Sequence, residues 1–420
     1  MTRAAERSAF DNIARNAIAA RLAHINSRFI FGWTSRSRER SMASDRGGGK
    51  IRLGILGASA NPFAWASAAH IPALKSLPEY ELVAVASRNQ ENADAAAAKH
   101  GIPRAYGDYH EMLAQPDLDM IVVSTSSAHH HEFVMPAIAA GKHVFCEWPF
   151  GTSMVQAIEM RDAAKTKGVR SLIGLQNRCA PIVAYIRDLI AQGYVGTLWS
   201  VNFDRANDQT ARMSVSQAYV DFLEHANAGL RIMGGHALDT LAAYVGEFAD
   251  LQAYMEIGMK EIRIDTGEVV PMTHRDHILV QGRLESGAVA SIVMKQNSPT
   301  YKPFHLEISG SGGALIITTE GDLDPSERHP GVPNDYLIYG TPKLGAPFEP
   351  LTIPAEYKTV PRDTPDTQPL NVAQMYQAFA QALFDDRPGP LDFDHGVLRH
   401  EQLATIERAA ASGERQRLGG

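Results

Sequence analysis

The sequence predicts an α/β protein. An N-terminal doubly wound parallel sheet is followed by an α+β domain with a large, mostly antiparallel, open-faced sheet. Three observations carry this reading. As far as Leu172, apolar β-branched runs alternate with helical stretches, the grammar of βαβ units. Those runs are continuous, as strands buried on both faces are. Beyond Leu172, strand-like segments follow one another, joined by turns.

Ile51–Gly57 reads as a short buried strand stopped by glycine, and an Ala-rich helix reaches about Leu77. Glu81–Ala86 is a second strand and Gln90–His100 a second helix. Met120–Thr125 is a further strand, and His131–Ala140 is a helix that Gly141 stops as a C′ residue. Lys142–Glu147 is again a strand. In the second half, Ile182, Ile186, Leu189 and Ile190 share one helix face. Strands follow at Thr197–Asp204, Leu251–Ile257, His277–Leu284, Ala288–Met294, His305–Ser309 and Ala314–Thr318, with Glu285-Ser286-Gly287 as a hairpin turn. Leu323–Pro369, rich in Pro, Asp and Gly, reads as a long surface excursion. A last amphipathic helix spans about Asn371–Phe384.

At 420 residues, with 45% hydrophobic and 21% charged residues, the chain has material for more than one core. No apolar run is long enough to span a membrane. A net charge of −7 argues against nucleic acid as a direct partner. Two cysteines exclude a disulfide framework and fit a reducing cytoplasm. Residues 1–49 stand apart, with nine arginines, no lysine and four acids, ending in Gly47-Gly48-Gly49. They read as a disordered extension or as sequence upstream of a start at Met42. The division expected is therefore 1–49, then 50–172 for a dinucleotide, then 173–420 for substrate and oligomerisation.

The first strand ends in Gly57-Ala58-Ser59-Ala60-Asn61-Pro62. A dinucleotide fold needs a tight turn there and a helix N-terminus to meet pyrophosphate. Gly57 supplies the first glycine, and Ser59 stands at the usual second, so the motif is degraded and its strand–turn–helix context carries the Rossmann reading. The second strand ends in Ser87-Arg88, with no acid to take a ribose 2′-hydroxyl. A hydroxyl and a cation suit a 2′-phosphate, which favours NADP over NAD.

Gly57, Thr125-Ser126-Ser127-Ala128-His129-His130, Ala139-Ala140-Gly141-Lys142-His143-Val144-Phe145-Cys146-Glu147-Trp148-Pro149 and Gly234–Asp239 together resemble the Gfo/Idh/MocA oxidoreductases. The resemblance covers nearly all of residues 50–415. It implies a Rossmann domain, an open-faced sheet domain, a nicotinamide between them and oligomers formed through the sheet. It places Thr125, His130, Glu147 and Trp148 near the cofactor. The family's catalytic lysine falls on Trp148, and its catalytic Asp and His fall on Ile232 and His236. Both replacements, with the longer Trp-containing loop, resemble the subgroup of the fungal galactose-pathway repressor, which binds dinucleotide without turnover.

Hydride transfer from an alcohol needs a base for the hydroxyl proton. An indole N–H donates but does not ionise, so His236 is left as the acid/base, with Asp239 to orient it or to bind substrate. Arg178, at a strand end facing the cleft, is a candidate for an anionic or hydroxyl-rich ligand. His129-His130-His131 is not read as a metal site, because adjacent imidazoles diverge and no further ligand completes a set. Cys146 reads as an inert core thiol. Three functions follow. The first is an NAD(P)-dependent oxidoreductase acting on a sugar, polyol or related carbonyl. The second is a non-catalytic sensor working through protein contacts. The third is an enzyme that retains NAD for transient oxidation during elimination or glycoside cleavage.

Overall fold

The computed structural model describes residues 49–206, 229–295, 304–319 and 336–418. The expected N-terminal extension lies outside them, Gly49 excepted. The first sheet is built from β1 (Ile51–Leu56), α1 (Ile71–Ser76), β2 (Tyr80–Ala86), α2 (Gln90–His100), β3 (Arg104–Tyr106), α3 (Tyr109–Leu113), β4 (Met120–Val123), α4 (His130–Ala139), β5 (His143–Glu147), α5 (Met154–Lys167) and β6 (Ser171–Gly174). Its six strands are parallel in the order β3-β2-β1-β4-β5-β6. The order reverses between β1 and β4, and ligands of such sheets bind outside the carboxyl ends at that point. The central strands are buried on both faces; all four residues of β4 are buried. Gly141 takes φ +76° after α4, as a C′ glycine does.

The second half contains α6 (Pro181–Ala191), β7 (Leu198–Ala206), α7 (Gly235–Val245), β8 (Phe248–Glu256), β9 (Glu261–Arg263), β10 (Val269–Pro271), β11 (His277–Leu284), β12 (Val289–Lys295), β13 (Phe304–Gly310), β14 (Ala314–Thr318), β15 (Leu337–Thr341), β16 (Glu349–Leu351), α8 (Gln368–Phe384), α9 (Phe393–Ser412) and β17 (Gln416–Arg417). Nine strands form one sheet in the order β16-β15-β14-β13-β7-β12-β11-β8-β17. All neighbours are antiparallel except β7 and β12. Along β11, Ile278, Val280 and Leu284 point inward while Leu279, Gln281 and Arg283 face out, the alternation of a sheet with one covered face.

Three expectations change. Leu337–Thr341 lies in the stretch read as a surface excursion, yet it pairs along its length with β14. β7 runs two residues past Asp204, which brings Arg205 into register between Met294 and Phe304. The helix expected to be the last, α8, is followed by α9; α8 packs on the first sheet, where Met375, Tyr376 and Phe379 join Leu53, Ile55 and Phe145 in one core. Among the described residues no helix is long and apolar enough to cross a membrane.

Candidate active site between the two sheets

The carboxyl edge of the parallel sheet gathers the residues expected to hold a dinucleotide. Gly57 follows β1, Ser87 and Arg88 follow β2, Thr125 follows β4, and Glu147 ends β5. Gly57 has φ +92°, and a Cβ there would lie 2.2 Å from the Ser124 carbonyl oxygen. Only glycine makes this turn without strain. The loop from Ala58 to Trp65 is pinned from beneath. The Ser59 carbonyl accepts from the Ser67 hydroxyl at 2.7 Å and faces His100 Nε2 at 3.0 Å. Lys99 Nζ donates to the Ala60 carbonyl at 2.9 Å. Ser59 Oγ accepts from the Asn61 N–H at 3.0 Å, which leaves its O–H proton to donate elsewhere. Arg88 is exposed and makes no ion pair among the described residues. A glycine at the switch point, a pinned loop and an exposed cation after β2 fit a dinucleotide at this edge.

Glu147 is buried and committed to the protein. Its Oε1 accepts from the Trp65 indole N–H at 2.9 Å and meets His70 Nε2 at 2.7 Å. His70 Nδ1 meets the Tyr376 hydroxyl at 2.9 Å. Burial pushes the Glu147 pKa up, but the bonds from His70 and Trp65 outweigh it and hold the carboxyl below its ordinary value. The carboxylate thus fixes the far end of the phosphate loop.

His130 is also structural. It is 1% exposed, with Nδ1 at 2.8 Å from the Pro149 carbonyl and Nε2 at 3.1 Å from the Thr125 carbonyl. Its ring ties the β4 loop to the turn after β5, and no ring nitrogen is left for a ligand. Its neighbours turn elsewhere, His129 to Glu132 and His131 to Glu159.

His236 lies in the first turn of α7. Its Nδ1 is buried and has no hydrogen-bond partner. Burial, helped by Arg205, pulls its pKa down to about 4 against the opposing pull of Glu147 and Asp239. The ring is therefore neutral at pH 7. Asp239 does not orient it. That carboxylate is 1% exposed, accepts from Arg178 Nε at 3.1 Å and Nη2 at 3.0 Å, and meets His395 Nε2 at 2.6 Å. Arg178 and Asp239 consume each other's charge. They tie the turn after β6 to α7 and α9 and do not form a ligand site. Burial raises the Asp239 pKa, but Arg178, His395 and Arg399 drive it well below the carboxylate range.

Residues 51–175 match the family model of oxidoreductases with an NAD-binding Rossmann fold, and residues 181–319 match the model of the Gal80p C-terminal domain. The chain is 32% identical over 378 residues to the dehydrogenase aclE of Aspergillus oryzae, covering 87% of this chain and 97% of that protein. It belongs to the Gfo/Idh/MocA family. It is also similar to the galactose/lactose metabolism regulatory protein GAL80 of Saccharomyces cerevisiae, at 28% identity over 66% of this chain and 68% of that protein. Levoglucosan dehydrogenase, in complex with NADH and levoglucosan, shares the fold at a TM-score of 0.75 and 19% identity, over 88% of this chain and 99% of that one.

The structure shows what occupies the two positions where the sequence resemblance implies a lysine and an aspartate. Trp148 is 5% exposed, donates its indole N–H to the Arg231 carbonyl at 2.6 Å and packs on His400 at 5.1 Å. A Cβ on Gly235 would lie 2.3 Å from its Nε1, so α7 rests against the indole. Trp148 joins the end of β5 to α7 and α9; its one side-chain donor is already used. Ile232 packs with Ile262 and Met272 in a small apolar cluster beside β9 and β10.

Four groups in the cleft were not singled out from sequence: Arg205, Asn177, Thr240 and Tyr244, which line a cavity beneath α7. One signal for them exists. Val201, Phe203 and Arg205 alternate with Asn202 and Asp204, so a cation falls in the inward register of a strand.

Proposed function

We propose that the chain is an NAD(P)-dependent oxidoreductase acting on a sugar, polyol or related carbonyl compound, with His236 as the acid/base. Residues 50–172 hold the dinucleotide through Gly57, Ser59, Ser87, Arg88 and Thr125, and Ser87 with Arg88 favours NADP. Residues 173–420 supply His236 and the outer sheet face through which copies of the chain associate. The observation that carries the reading is the neutral, unpartnered His236 ring nitrogen. A bound nicotinamide supplies hydride acceptance. In alcohol oxidation the C–H bond breaks with its electron pair, and the hydroxyl proton passes to His236 as the carbonyl forms. Arg88 and Ser87 hold the 2′-phosphate end, and the Glu147–Trp65–His70 cluster keeps the loop in place.

General base catalysis is worth roughly 10²- to 10⁴-fold. His236→Ala is expected to lower kcat by about that factor with dinucleotide affinity unchanged, measured by steady-state kinetics and nucleotide titration. Turnover that survives the substitution removes the role. One observation favours a second reading, a dinucleotide-binding regulator. Trp148 fills the place of a lysine and spends its only donor on Arg231, so nothing at that position polarises a substrate oxygen. Tight nucleotide binding without turnover of any sugar or polyol would select that reading.

A further inference from the structure

We infer that the cavity beneath α7 is a carboxylate site built on Arg205, and that the substrate is an acid: a sugar acid or other hydroxy acid. The inference rests on the oxidoreductase reading above and names its substrate class. Arg205 stands on the inward face of β7, in line with Val201 and Phe203. A cation turned onto the covered face of a sheet is costly unless it is paired. The other inward arginines are paired: Arg178 with Asp239, and Arg399 with Glu247 and Gln402. Arg205 has neither an ion pair nor a side-chain hydrogen bond among the described residues, and its guanidinium opens onto the cavity. Burial pulls its pKa down, with only Tyr336 opposing.

The rest of the cavity completes the site. Phe203, Phe304 and Tyr336 form apolar walls, with Tyr336 stacked on Phe304 at 4.3 Å. Asn177 Oδ1 and the Tyr244 hydroxyl are buried without hydrogen-bond partners. Unsatisfied buried groups of this kind cost stability and mark places where a ligand completes the bonding. The cavity has room for small groups over about 20 Å³, within about 340 Å³ of empty volume that includes open solvent. One water needs roughly 10–15 Å³, so this room takes one small group and not a whole sugar ring. A planar carboxylate matches the guanidinium fork. Arg205 also acts electrostatically on His236, so an acid anchored there brings its hydroxyl-bearing carbon toward the base.

The test uses the full chain loaded with NADP or NAD. Gluconate and glucuronate are titrated against their neutral counterparts, glucitol and glucose, by calorimetry, and reduced nicotinamide is followed separately. The acids are expected to bind at least about tenfold tighter than the neutral compounds. Arg205→Gln is expected to reduce acid affinity about 10- to 100-fold with dinucleotide affinity retained, and Arg205→Lys to lose less. Two results overturn the site: no preference for the acids in the wild type, or a preference that survives Arg205→Gln. If Arg205→Gln does not fold, the wild-type comparison decides. Acid binding without turnover keeps the site and removes the oxidoreductase reading. Turnover with no preference for the acids over the neutral sugars keeps that reading and removes the site.

Discussion

An indole at position 148 cannot be exchanged for a lysine at small cost. Trp148 is held by Gly235, His400 and the Arg231 carbonyl, and truncating a buried aromatic costs about 3–5 kcal/mol. Trp148→Lys is therefore expected to lose about that much stability in denaturant titration. Adding Ile232→Asp would place a carboxylate against Ile262 and Met272 and lower stability further, so the pair restores no catalytic dyad. His236 and His400 add a pH dependence. Both are held at about 4, His236 by burial and Arg205, His400 by burial and Arg231. Unfolded histidine titrates near 6.5, so between those values the unfolded chain binds more protons. Their neutral burial is harmless above about pH 6.5 and costs stability progressively as pH falls toward 4. Unfolding free energy should fall across that window by on the order of 3 kcal/mol per histidine. His400→Gln should flatten the profile; an unchanged slope would show that His400 titrates normally.

The phosphate loop shows what an element owes to its neighbours. Gly57 sets its start, but Lys99, His100 and Ser67 hold its course. Gly57→Val would force a branched side chain to φ +92° against the Ser124 carbonyl. A cost of about 1–3 kcal/mol and a loss of dinucleotide affinity are expected, read by thermal unfolding with and without nucleotide. The same dependence explains which elements were legible in sequence. β1, β2, β4 and β5 announce themselves, because a strand buried on both faces leaves an unbroken apolar run. α5 does not, since its buried stripe is Ala157, Met160 and Ala164, too small to stand out. α9 buries Arg399 and His400 beside Leu403 and Ile406, so polar residues interrupt its periodicity. β15 is a strand because β14 and β16 pair with it. The candidate site followed the same rule. The turn at Gly57 follows from local pattern, and so does the place of His236 at the start of α7. Glu147, His130, Asp239 and Arg178 were visible as polar residues, but their partners come from elements distant in sequence, so their structural roles were not legible.

At the scale of the whole molecule, the nine-stranded sheet has one face covered by helices and one that no described helix covers. On that face Tyr254, Leu279 and Val293 stand side by side across β8, β11 and β12, in direct register. Val289 on the same face is 56% exposed, and Tyr254 is 60% exposed. Adjacent strands carrying a row of apolar side chains toward water form the kind of patch that a partner covers. A second copy of the chain presents the same row, so a two-fold pairing places each substitution in the interface twice. Burying a Leu stabilises by about 1.5–3 kcal/mol, and an aspartate in its place adds an unpaired charge to desolvate. Leu279→Asp should then weaken a dimer by at least about 3–6 kcal/mol, a factor of roughly 10² to 10⁴ in dissociation constant. Sedimentation equilibrium should show the wild type associated and Leu279→Asp monomeric at the same micromolar concentration. Nucleotide binding should be retained, because Leu279 faces away from the cleft. An assembly that persists in Leu279→Asp would place the contact elsewhere on the molecule.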